Sequence, residues 1–577
     1  MSWKPWLSAV PDDNGTHFRV WAPRARSLEV RIVGGPTARL RADEDGYAVA
    51  YLEGVRPGAR YLYRFPDGRE RPDPASLLQP EGVHGPSEVV DLGAIRPRSR
   101  PPKVPLERLI FSEIHLGTFT PEGTAQAAAR RMGDLADALF TAVEVMPVAT
   151  FPGARNWGYD GVGLFAAHAA YGGPAGLAKL VEAAHEAGLR AFLDVVYNHL
   201  GPEGNYLAEF GPYFTDRHKT PWGDALNFDG RDAGPVRRFF VENALRWTSA
   251  NGAGFDGLRL DAVHSLVDDS PKHILQEIRE AVRAERPDAH LIAESDLNDP
   301  KLIEGYGLDA TWADELHHGL HVALTGEKSG YYADFAPPAL DPLDVVVTAL
   351  RQGWHYGGVY KPSFKKVHGA PAGHLRGRHF VVGAQNHDQI GNRARGERLV
   401  ELTGEDGARL AAALIALQPA LPMYFQGEEW GARQPFLYFV SHEDQALLEA
   451  VRKGRREEFK GFAWAAEVPD PGSEETFARS RIDWSERKGP LLEWHKQLLR
   501  LRREHPALRD DARAALGVWR DGNLLYLRRG NLLLVLAFGP GAPKLPPGPY
   551  RVLLDSAGEK TVPERIEGKR ALVLERT

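Results

Sequence analysis

One stretch of this sequence indicates its fold most directly: Gly254-Phe255-Asp256-Gly257-Leu258-Arg259-Leu260-Asp261-Ala262-Val263-His264. A mostly apolar run ends there in a carboxylate. Active sites of (β/α)8 barrels are built at the carboxyl ends of the strands, where such carboxylates are presented. Arg259 and Asp261 lie two residues apart, so both side chains point to the same side of a strand. The stretch therefore predicts a barrel strand that presents a charged pair.

Other strand-like runs flank this stretch, and helix-like runs such as Gly176–Ala187 and Pro271–Glu285 separate several of them. Such alternation over a long region is typical of βα units around a parallel sheet. The strand candidates are Leu109–Ile114, Ala142–Met146, Leu189–Val196, Phe255–Leu260, His290–Ala293, Asp309–Ala313, His379–Ala384 and Pro422–Phe425. They make up the number that a closed barrel requires, so the sequence predicts an α/β fold with a (β/α)8 TIM barrel.

Short strands separated by turns occupy both ends of the chain. Turn pairs such as Asp45-Gly46 and Gly530-Asn531 favour connections between antiparallel strands. The strand candidates are His17–Trp21, Leu28–Val33, Arg60–Phe65, Ala515–Trp519, Leu524–Arg528, Leu532–Phe538, Tyr550–Leu554 and Ala571–Glu575. We therefore predict an N-terminal β-sandwich over residues 1–97, a catalytic barrel over residues 98–512 and a C-terminal antiparallel β-domain over residues 513–577.

The composition narrows the classes of partner. The chain has 577 residues, a formal net charge of −6 and no cysteine. This balance does not favour nucleic acid or an anionic membrane as partner, and the lack of cysteine excludes disulfides and thiolate chemistry. Residues Met1–Val10 show no secretory signal, and no apolar run reaches the length of about 18 residues that a membrane helix needs. We expect a cytoplasmic, monomeric protein with a neutral, polar ligand.

Four segments place polar groups directly after predicted barrel strands. A single aspartate after a strand is usually a helix N-cap, and a single Asn-His-Asp is usually a turn. Four such segments in order on separate strands instead indicate one site. They are Asp194-Val195-Val196-Tyr197-Asn198-His199, Gly254 to His264 as quoted above, Ile292-Ala293-Glu294-Ser295, and Gln385-Asn386-His387-Asp388-Gln389-Ile390-Gly391-Asn392.

Paired carboxyl groups are what the cleavage of a glycosidic bond requires. One carboxylic acid protonates the leaving oxygen, and a second carboxylate attacks or stabilises the oxocarbenium-like centre. Arg259 beside Asp261 would keep that carboxylate ionised, while burial near other carboxylates would raise the pKa of Glu294. His199 and His387 can donate hydrogen bonds to sugar hydroxyls, although a single histidine of this kind can equally be a core residue.

These segments, in this order, resemble the four conserved regions of the α-amylase family of glycoside hydrolases. The resemblance implies that Asp261 is the nucleophile, Glu294 the general acid/base and Asp388 a stabiliser of the transition state. Tyr159, in Asn156-Trp157-Gly158-Tyr159-Asp160, would stack under the attacked glucose, or else pack in the core. The other substrate-binding residues that the resemblance implies are Asp194, His199, Arg259, His264, His387, Gln389 and Asn392.

Some members of that family bind calcium near the asparagine that matches Asn198. The sequence contains no dedicated loop of oxygen ligands of the kind that calcium prefers. We therefore expect no metal and no other cofactor.

A narrower resemblance suggests the substrate. The N-terminal β-domain is carbohydrate-binding-like and is similar to that of branching and debranching enzymes. The runs Leu258–His264, Asp268–His273, Thr311–His318 and Gly454–Phe459 resemble family members that cut the α-1,4 bond next to a terminal trehalose. The implied partners are maltooligosaccharides that end in trehalose, or related α-glucans. A branching or debranching enzyme is the alternative. A non-catalytic glucan-binding protein is a remote one, because it would be expected to lack one of the three carboxylates.

Several residues outside the four segments are further candidates. Asp314, His317 and His318 follow the sixth predicted strand and could reach the substrate, or they could simply form a polar helix start. Trp222 could be a sugar-stacking platform or a packing lid. The charged run Arg452–Glu458 is predicted to be a solvated helix face.

Overall fold

The computed structural model describes residues 3–25, 27–459 and 468–577 of the chain. Its β-strands are β1 (Ser8–Pro11), β2 (Gly15–Trp21), β3 (Glu29–Ile32), β4 (Thr37–Arg39), β5 (Arg41–Ala42), β6 (Tyr47–Glu53), β7 (Arg60–Arg64), β8 (Glu70–Arg71), β9 (Ser87–Glu88), β10 (Phe111–Ile114), β11 (Ala142–Val145), β12 (Ala149–Thr150), β13 (Gly163–Ala167), β14 (Arg190–Val195), β15 (Phe214–Thr220), β16 (Gly223–Leu226), β17 (Gly257–Leu260), β18 (His290–Ala293), β19 (Ala310–Trp312), β20 (Val359–Lys361), β21 (Lys366–His368), β22 (Phe380–Gly383), β23 (Leu421–Phe425), β24 (Gly517–Asp521), β25 (Leu524–Arg529), β26 (Leu532–Ala537), β27 (Tyr550–Asp555) and β28 (Arg570–Arg576).

The α-helices lie mostly between the barrel strands. They are α1 (Leu92–Ile95), α2 (Leu116–Phe119), α3 (Ala125–Ala129), α4 (Met132–Asp137), α5 (Gly173–Glu186), α6 (Leu207–Phe210), α7 (Ala233–Thr248), α8 (Ile274–Glu285), α9 (Lys301–Glu304), α10 (Glu315–Thr325), α11 (Pro342–Gln352), α12 (His387–Gly391), α13 (Leu399–Leu417), α14 (Gln445–Glu458), α15 (Glu474–Arg479) and α16 (Pro490–Glu504).

The predicted barrel is confirmed. Strands β10, β11, β14, β17, β18, β19, β22 and β23 pair in this order and close on themselves. In the register around β17, Arg259 lies between Asp194 on β14 and Ile292 on β18. All residues of β17 are buried. Both faces of these strands are covered, which is why they appear in the sequence as nearly continuous apolar runs.

Amphipathic helices cover the barrel from outside. Helix α8 buries Ile274, Ile278 and Val282, whose spacing places them on one face. The sequence predicts a start at Pro271, but α8 begins at Ile274, because the side chain of His273 caps its first turn by accepting from the amide of Leu275.

The predicted antiparallel sheets at both ends are confirmed. At the N-terminus one sheet has the order β1-β2-β6-β5 and another the order β4-β3-β7-β8, with β9 beside β7. At the C-terminus the order is β24-β25-β26-β28-β27. One continuous cluster of buried apolar side chains includes Phe18, Leu258 and Leu534, from all three regions. The borders after residues 97 and 512 therefore stay predictions.

The helices of the described residues do not meet the requirements of a membrane span. None of them combines the necessary length and apolar character.

Candidate active site

The three candidate carboxylates lie at the carboxyl ends of barrel strands. Asp261 directly follows β17, Glu294 directly follows β18, and Asp388 lies in α12 beyond β22. The guanidinium of Arg259 links two of them: its Nη1 donates to Asp261 Oδ1 at 2.7 Å, and its Nη2 lies 3.7 Å from Glu294 Oε2. The structure thus brings together the residues that the sequence selects for nucleophile and acid.

The carboxylate of Asp261 is held by donors on both oxygens. Arg259 donates to Oδ1, and the amide Nδ2 of Asn198 donates to Oδ2 at 2.8 Å. The same amide also donates to the backbone oxygen of Asp261 at 2.8 Å. The side chain is therefore fixed in one orientation, as an attacking group requires.

The carboxyl of Glu294 has a different environment. Burial is the main cause that raises the pKa of Glu294, to about 8. The positive charge of Arg259 lowers this pKa, whereas the negative charges of Asp261 and Asp388 raise it further. Its Oε2 accepts from the backbone amide of Ala262 at 2.5 Å. Ala262 has φ 39°, an uncommon value for a residue other than glycine, and this local conformation had no signal in the sequence. Because its pKa is raised, Glu294 is mainly protonated at neutral pH.

Arg259 is fixed on all sides. It is fully buried, its guanidinium carbon lies 4.2 Å from the ring centroid of Trp312, and its Nη1 donates to Asp194 Oδ2 at 2.7 Å. The hydroxyl of Tyr159 donates to the same Asp194 oxygen at 2.6 Å. Asp194 thus holds Tyr159 and Arg259 in position next to the candidate carboxylates.

His387 is charged and connects Tyr159 to Asp388. Burial lowers the pKa of His387, but Asp388 and Glu113 outweigh this and raise it to about 9. Its Nδ1 bonds Glu113 Oε1 at 2.5 Å, and its Nε2 donates to the hydroxyl of Tyr159 at 2.8 Å and lies 3.5 Å from Asp388 Oδ2. Glu113 was not predicted as a site residue from the sequence. The one feature that could have indicated it is a charged residue within the apolar run of β10.

His199 and Trp222 form a second aromatic surface. Their rings are parallel within 3°, with centroids 4.2 Å apart. Trp222 lies in the turn between β15 and β16 and is 51% exposed. His199 Nε2 donates to the backbone oxygen of Tyr159 at 3.0 Å. Trp222 therefore covers His199 and keeps exposed ring surface, while its role as a sugar-stacking platform stays a prediction.

A cleft of about 470 Å³ begins beside Glu294, a volume typical of small-ligand sites. Asp314 is at the N-cap of α10 but makes no capping bond there. Instead it accepts from Gln389 Nε2 at 3.4 Å, and burial raises its pKa to about 6. The polar and aromatic lining includes Ser295, Asp296, Asp314, His318, Tyr331, Phe335, Lys361 and Phe364.

Three further residues predicted from the sequence, His318, His264 and Asn392, each contact a cleft residue or a candidate carboxylate. His318 lines the cleft, stacked on Phe335 with centroids 4.6 Å apart, and burial lowers its pKa to about 3. His264 Nδ1 lies 3.6 Å from Asp296 Oδ1. Asn392 Nδ2 donates to Asp388 Oδ1 at 3.3 Å.

His317 does not fit the prediction of a substrate-binding residue. Its Nδ1 donates to the backbone oxygen of Ala384 at 2.6 Å, and its Nε2 lies 3.2 Å from the hydroxyl of Tyr332. The side chain is buried, and burial holds the pKa of His317 well below its ordinary value. It is a satisfied core histidine, because α10 turns this residue inward and its neighbour His318 toward the cleft.

The prediction of a solvated face for Arg452–Glu458 was wrong for two residues. Arg455 and Glu458 contact residues beside the cleft: Arg455 donates to Asn392 Oδ1 at 3.1 Å, and Glu458 accepts from the hydroxyl of Tyr331 at 2.7 Å. Charge alone could not distinguish these positions from the exposed ones.

Two clusters among the described residues could hold a metal ion: His84 with Glu203 and Glu443, and His218 with Asp229 and Asp269. Neither includes the candidate carboxylates. The asparagine discussed for calcium, Asn198, uses its Nδ2 for Asp261 and its Oδ1 for His199. The expectation of no metal stays a prediction.

Comparison with known proteins identifies the relatives. A sequence model of the α-amylase catalytic domain matches residues 121–224. The malto-oligosyltrehalose trehalohydrolase of Saccharolobus solfataricus is 44% identical, over 86% of this chain and 86% of that protein. The enzyme of the same name from Deinococcus radiodurans is 42% identical over 90% and 86%. The crystal structure of a putative alpha amylase from Salmonella typhimurium is 35% identical, has a TM-score of 0.91 and aligns over 100% of both chains.

The closed barrel with carboxylates at its strand ends, together with the matched domain, defines a glycoside hydrolase of the α-amylase type. Within this class, the chain belongs to the malto-oligosyltrehalose trehalohydrolase family, because relatives of that name match most of both sequences.

Proposed function

We propose that this chain hydrolyses the α-1,4-glucosidic bond next to the terminal trehalose of maltooligosyltrehalose, with retention of configuration, and releases free trehalose. The observation that supports the chemistry is that one guanidinium, of Arg259, lies 2.7 Å from Asp261 and 3.7 Å from Glu294. The two carboxyl groups nevertheless have different environments. The similarity to trehalohydrolases supports the substrate.

In the first step, Glu294 donates its proton to the glycosidic oxygen while Asp261 attacks the anomeric carbon of the neighbouring glucose. The bond from that carbon to the leaving oxygen breaks, trehalose departs, and a covalent glycosyl ester on Asp261 remains. Burial supports this role of Glu294, because its raised pKa of about 8 keeps the proton available at neutral pH.

In the second step, Glu294 is ionised and accepts a proton from water. The water oxygen attacks the anomeric carbon and releases Asp261 as a carboxylate. Two inversions at the same carbon give net retention, so the new reducing end is formed as the α-anomer.

Asp388 can accept hydrogen bonds from sugar hydroxyls in both steps. Its side chain is 48% exposed. The amide of Asn392 and the charged ring of His387 lie beside its oxygens. A carboxylate in this position would stabilise positive charge on the ring in the transition state. We assign the subsite of the attacked glucose to the groups around it: Tyr159, Asp194, His199, Arg259 and His387.

The cleft beyond Glu294 is the position for the leaving trehalose. It offers an acceptor in Asp314, a neutral imidazole in His318 and the ring of Tyr331. His264 and Gln389 contact the cleft residues Asp296 and Asp314. Trp222, stacked on His199, adds a ring surface on the side of the attacked glucose. Buried polar groups fitted to an α,α-1,1-linked ring would be left unpaired by maltose, at about 1–3 kcal/mol for each group.

The alternatives are less well supported. A branching or debranching activity is not favoured, because the relatives that match most of this chain are named trehalohydrolases. A non-catalytic glucan-binding protein would not need the three carboxylates, all of which are present. That the chain acts as a cytoplasmic monomer, without metal, nucleic acid or membrane, is part of the proposal.

Parallel kinetics on maltotriosyltrehalose and maltopentaose test the proposed function. We expect kcat/KM to be roughly 10- to 100-fold higher for maltotriosyltrehalose, because one or more unpaired groups oppose maltose in the leaving-group cleft. Trehalose should be the disaccharide released. Equal kcat/KM for both substrates would leave an α-glucan hydrolase but remove the trehalose assignment. Transfer of chains in place of hydrolysis would favour the branching alternative.

A further inference from the structure

Helix α14 ends with the charged segment 454–458, whose residues have no part in the reaction steps above. Two arginines that are neighbours in this helix have different environments. The side chain of Arg455 is 12% exposed, whereas that of Arg456 is 59% exposed. Arg456 pairs with Glu449 on the outer surface of the same helix, at 3.1 Å. The inner arginine therefore has a role that charge and solubility do not explain.

Arg455 connects the helix to the segment that carries the third carboxylate. Its Nη2 donates to the backbone oxygen of Gly391 at 2.9 Å, and its Nη1 donates to Asn392 Oδ1 at 3.1 Å and to Glu458 Oε2 at 2.8 Å. The guanidinium carbon lies 4.8 Å from the ring centroid of Tyr438. A planar guanidinium with fixed donors can satisfy these acceptors together, which a lysine ammonium cannot.

The contact with Arg455 fixes the orientation of the Asn392 amide. Because the oxygen Oδ1 accepts from Arg455, the nitrogen Nδ2 faces the other way and donates to Asp388 Oδ1 at 3.3 Å. A rotated amide would place an oxygen against the carboxylate. The cation on α14 thus determines which amide end Asp388 meets.

The last turn of the helix, which contains Arg455, also reaches the leaving-group cleft. Glu458 Oε1 accepts from the hydroxyl of Tyr331 at 2.7 Å, while its Oε2 accepts from Arg455. Tyr331 lies in the 3-10 turn Gly330–Phe335 and is 51% exposed toward the cleft. The same carboxylate therefore holds a cleft residue and the arginine that orients Asn392.

We propose that α14 is part of the active site. Arg455 positions Asp388 by way of Asn392, and at the other end of the same relay Glu458 positions Tyr331. The relay connects the cleft for the leaving group to the carboxylate beside the attacked glucose. This inference rests on the proposed function for the identity of the leaving group, but the positioning of Asp388 applies to any α-glucan that the site cleaves.

Variants of Arg455 test the first half of the relay, with Arg456→Ala as matched control on the same helix. We expect Arg455→Ala to lower kcat about 10- to 100-fold with a smaller change in KM, because hydrogen bonds to charged groups that position Asp388 are lost. Arg455→Lys should recover part of the loss. Thermal melting checks that both variants fold. A kcat for Arg455→Lys and Arg455→Ala equal to that of Arg456→Ala, or a change in KM alone, would overturn the proposal.

A double-mutant cycle tests the second half with size-conserving changes. Tyr331→Phe and Glu458→Met, which removes the oxygens that accept from Tyr331 and Arg455, should each lower the preference for maltotriosyltrehalose over maltopentaose. Their effects on kcat/KM should not add, because both changes break one contact. Full additivity would contradict the relay. If the wild type releases no trehalose, the proposed function fails, while the Arg455 variants still test the relay through the reducing ends formed from maltopentaose.

Discussion

The floor and the rim of the site are built differently. The floor consists of Asp194, Arg259, Asp261 and Glu294, which lie at or directly after barrel strands, together with His387 at the start of α12; all are largely buried. The rim consists of residues from separate elements: Trp222 from the β15–β16 hairpin, His318 from α10, Tyr331 from a 3-10 turn, Lys361 from β20 and Arg455 from α14. Trp222 and Tyr331 are each 51% exposed.

This difference separates chemistry from recognition. Charges in the floor interact across protein with little water, so each group strongly affects the protonation of its neighbours. Trp222 and Tyr331 in the rim remain accessible and can exchange water for sugar hydroxyls. We expect losses of about 10³-fold or more from removal of a catalytic carboxylate in the floor and losses of about 100-fold or less from changes in the rim.

The largest effect is expected from Asp261→Asn. Removal of the nucleophile should lower kcat by about 10³-fold or more, because the covalent route is lost. The measurement is steady-state hydrolysis of maltotriosyltrehalose, with the exposed Asp216→Asn as control. A folded Asp261→Asn enzyme that keeps a tenth of the wild-type rate would remove this residue from its role.

Glu294→Gln should be almost as damaging for glucans but less so for an activated glycoside. The amide cannot donate the proton that a sugar leaving group needs, whereas a phenolate with a low pKa leaves without it. Rates on maltotriosyltrehalose and on an aryl α-glucoside of the same length measure the difference. Equal losses on both substrates would show that Glu294 is not the acid.

The pH dependence of kcat/KM should follow the protonation of Glu294 in the floor. Burial raises the pKa of Glu294 to about 8, so the acid form is present below that pH and is lost as the pH rises through it. We expect kcat/KM to fall about tenfold for each pH unit above this value. A descending limb centred at the ordinary glutamate pKa of about 4.3 would contradict the assigned environment.

A smaller effect is expected in the rim from Trp222→Ala. Loss of the stacking surface beside His199 should raise KM about 2- to 10-fold, in line with the modest energy of a single aromatic contact. Trp222→Phe should retain most of the affinity. An unchanged KM in the alanine variant would show that Trp222 only covers His199.

The floor could be predicted from sequence because its residues follow buried strands. Arg259 and Asp261 share a strand face, and the alternation of side chains alone predicts their contact, which the structure shows at 2.7 Å. Glu113 was missed because a single acidic residue within an apolar strand has no local signature. Its partner, His387, is far away in the sequence and is brought near only by closure of the barrel.

The rim could not be predicted in the same way. His317 and His318 are adjacent, and only the orientation of α10 decides that one packs in the core and the other lines the cleft. The bond between Tyr331 and Glu458 joins segments 127 residues apart. The charge pattern of Arg452–Glu458 predicts a solvated helix, because local charge does not reveal a tertiary partner.

The most direct test of the central claim is time-resolved NMR of maltotriosyltrehalose hydrolysis. We expect free trehalose to appear together with maltotriose whose new reducing end is first the α-anomer, because Asp261 and Glu294 act through two inversions. An initial β-anomer, or a first disaccharide other than trehalose, would contradict that claim.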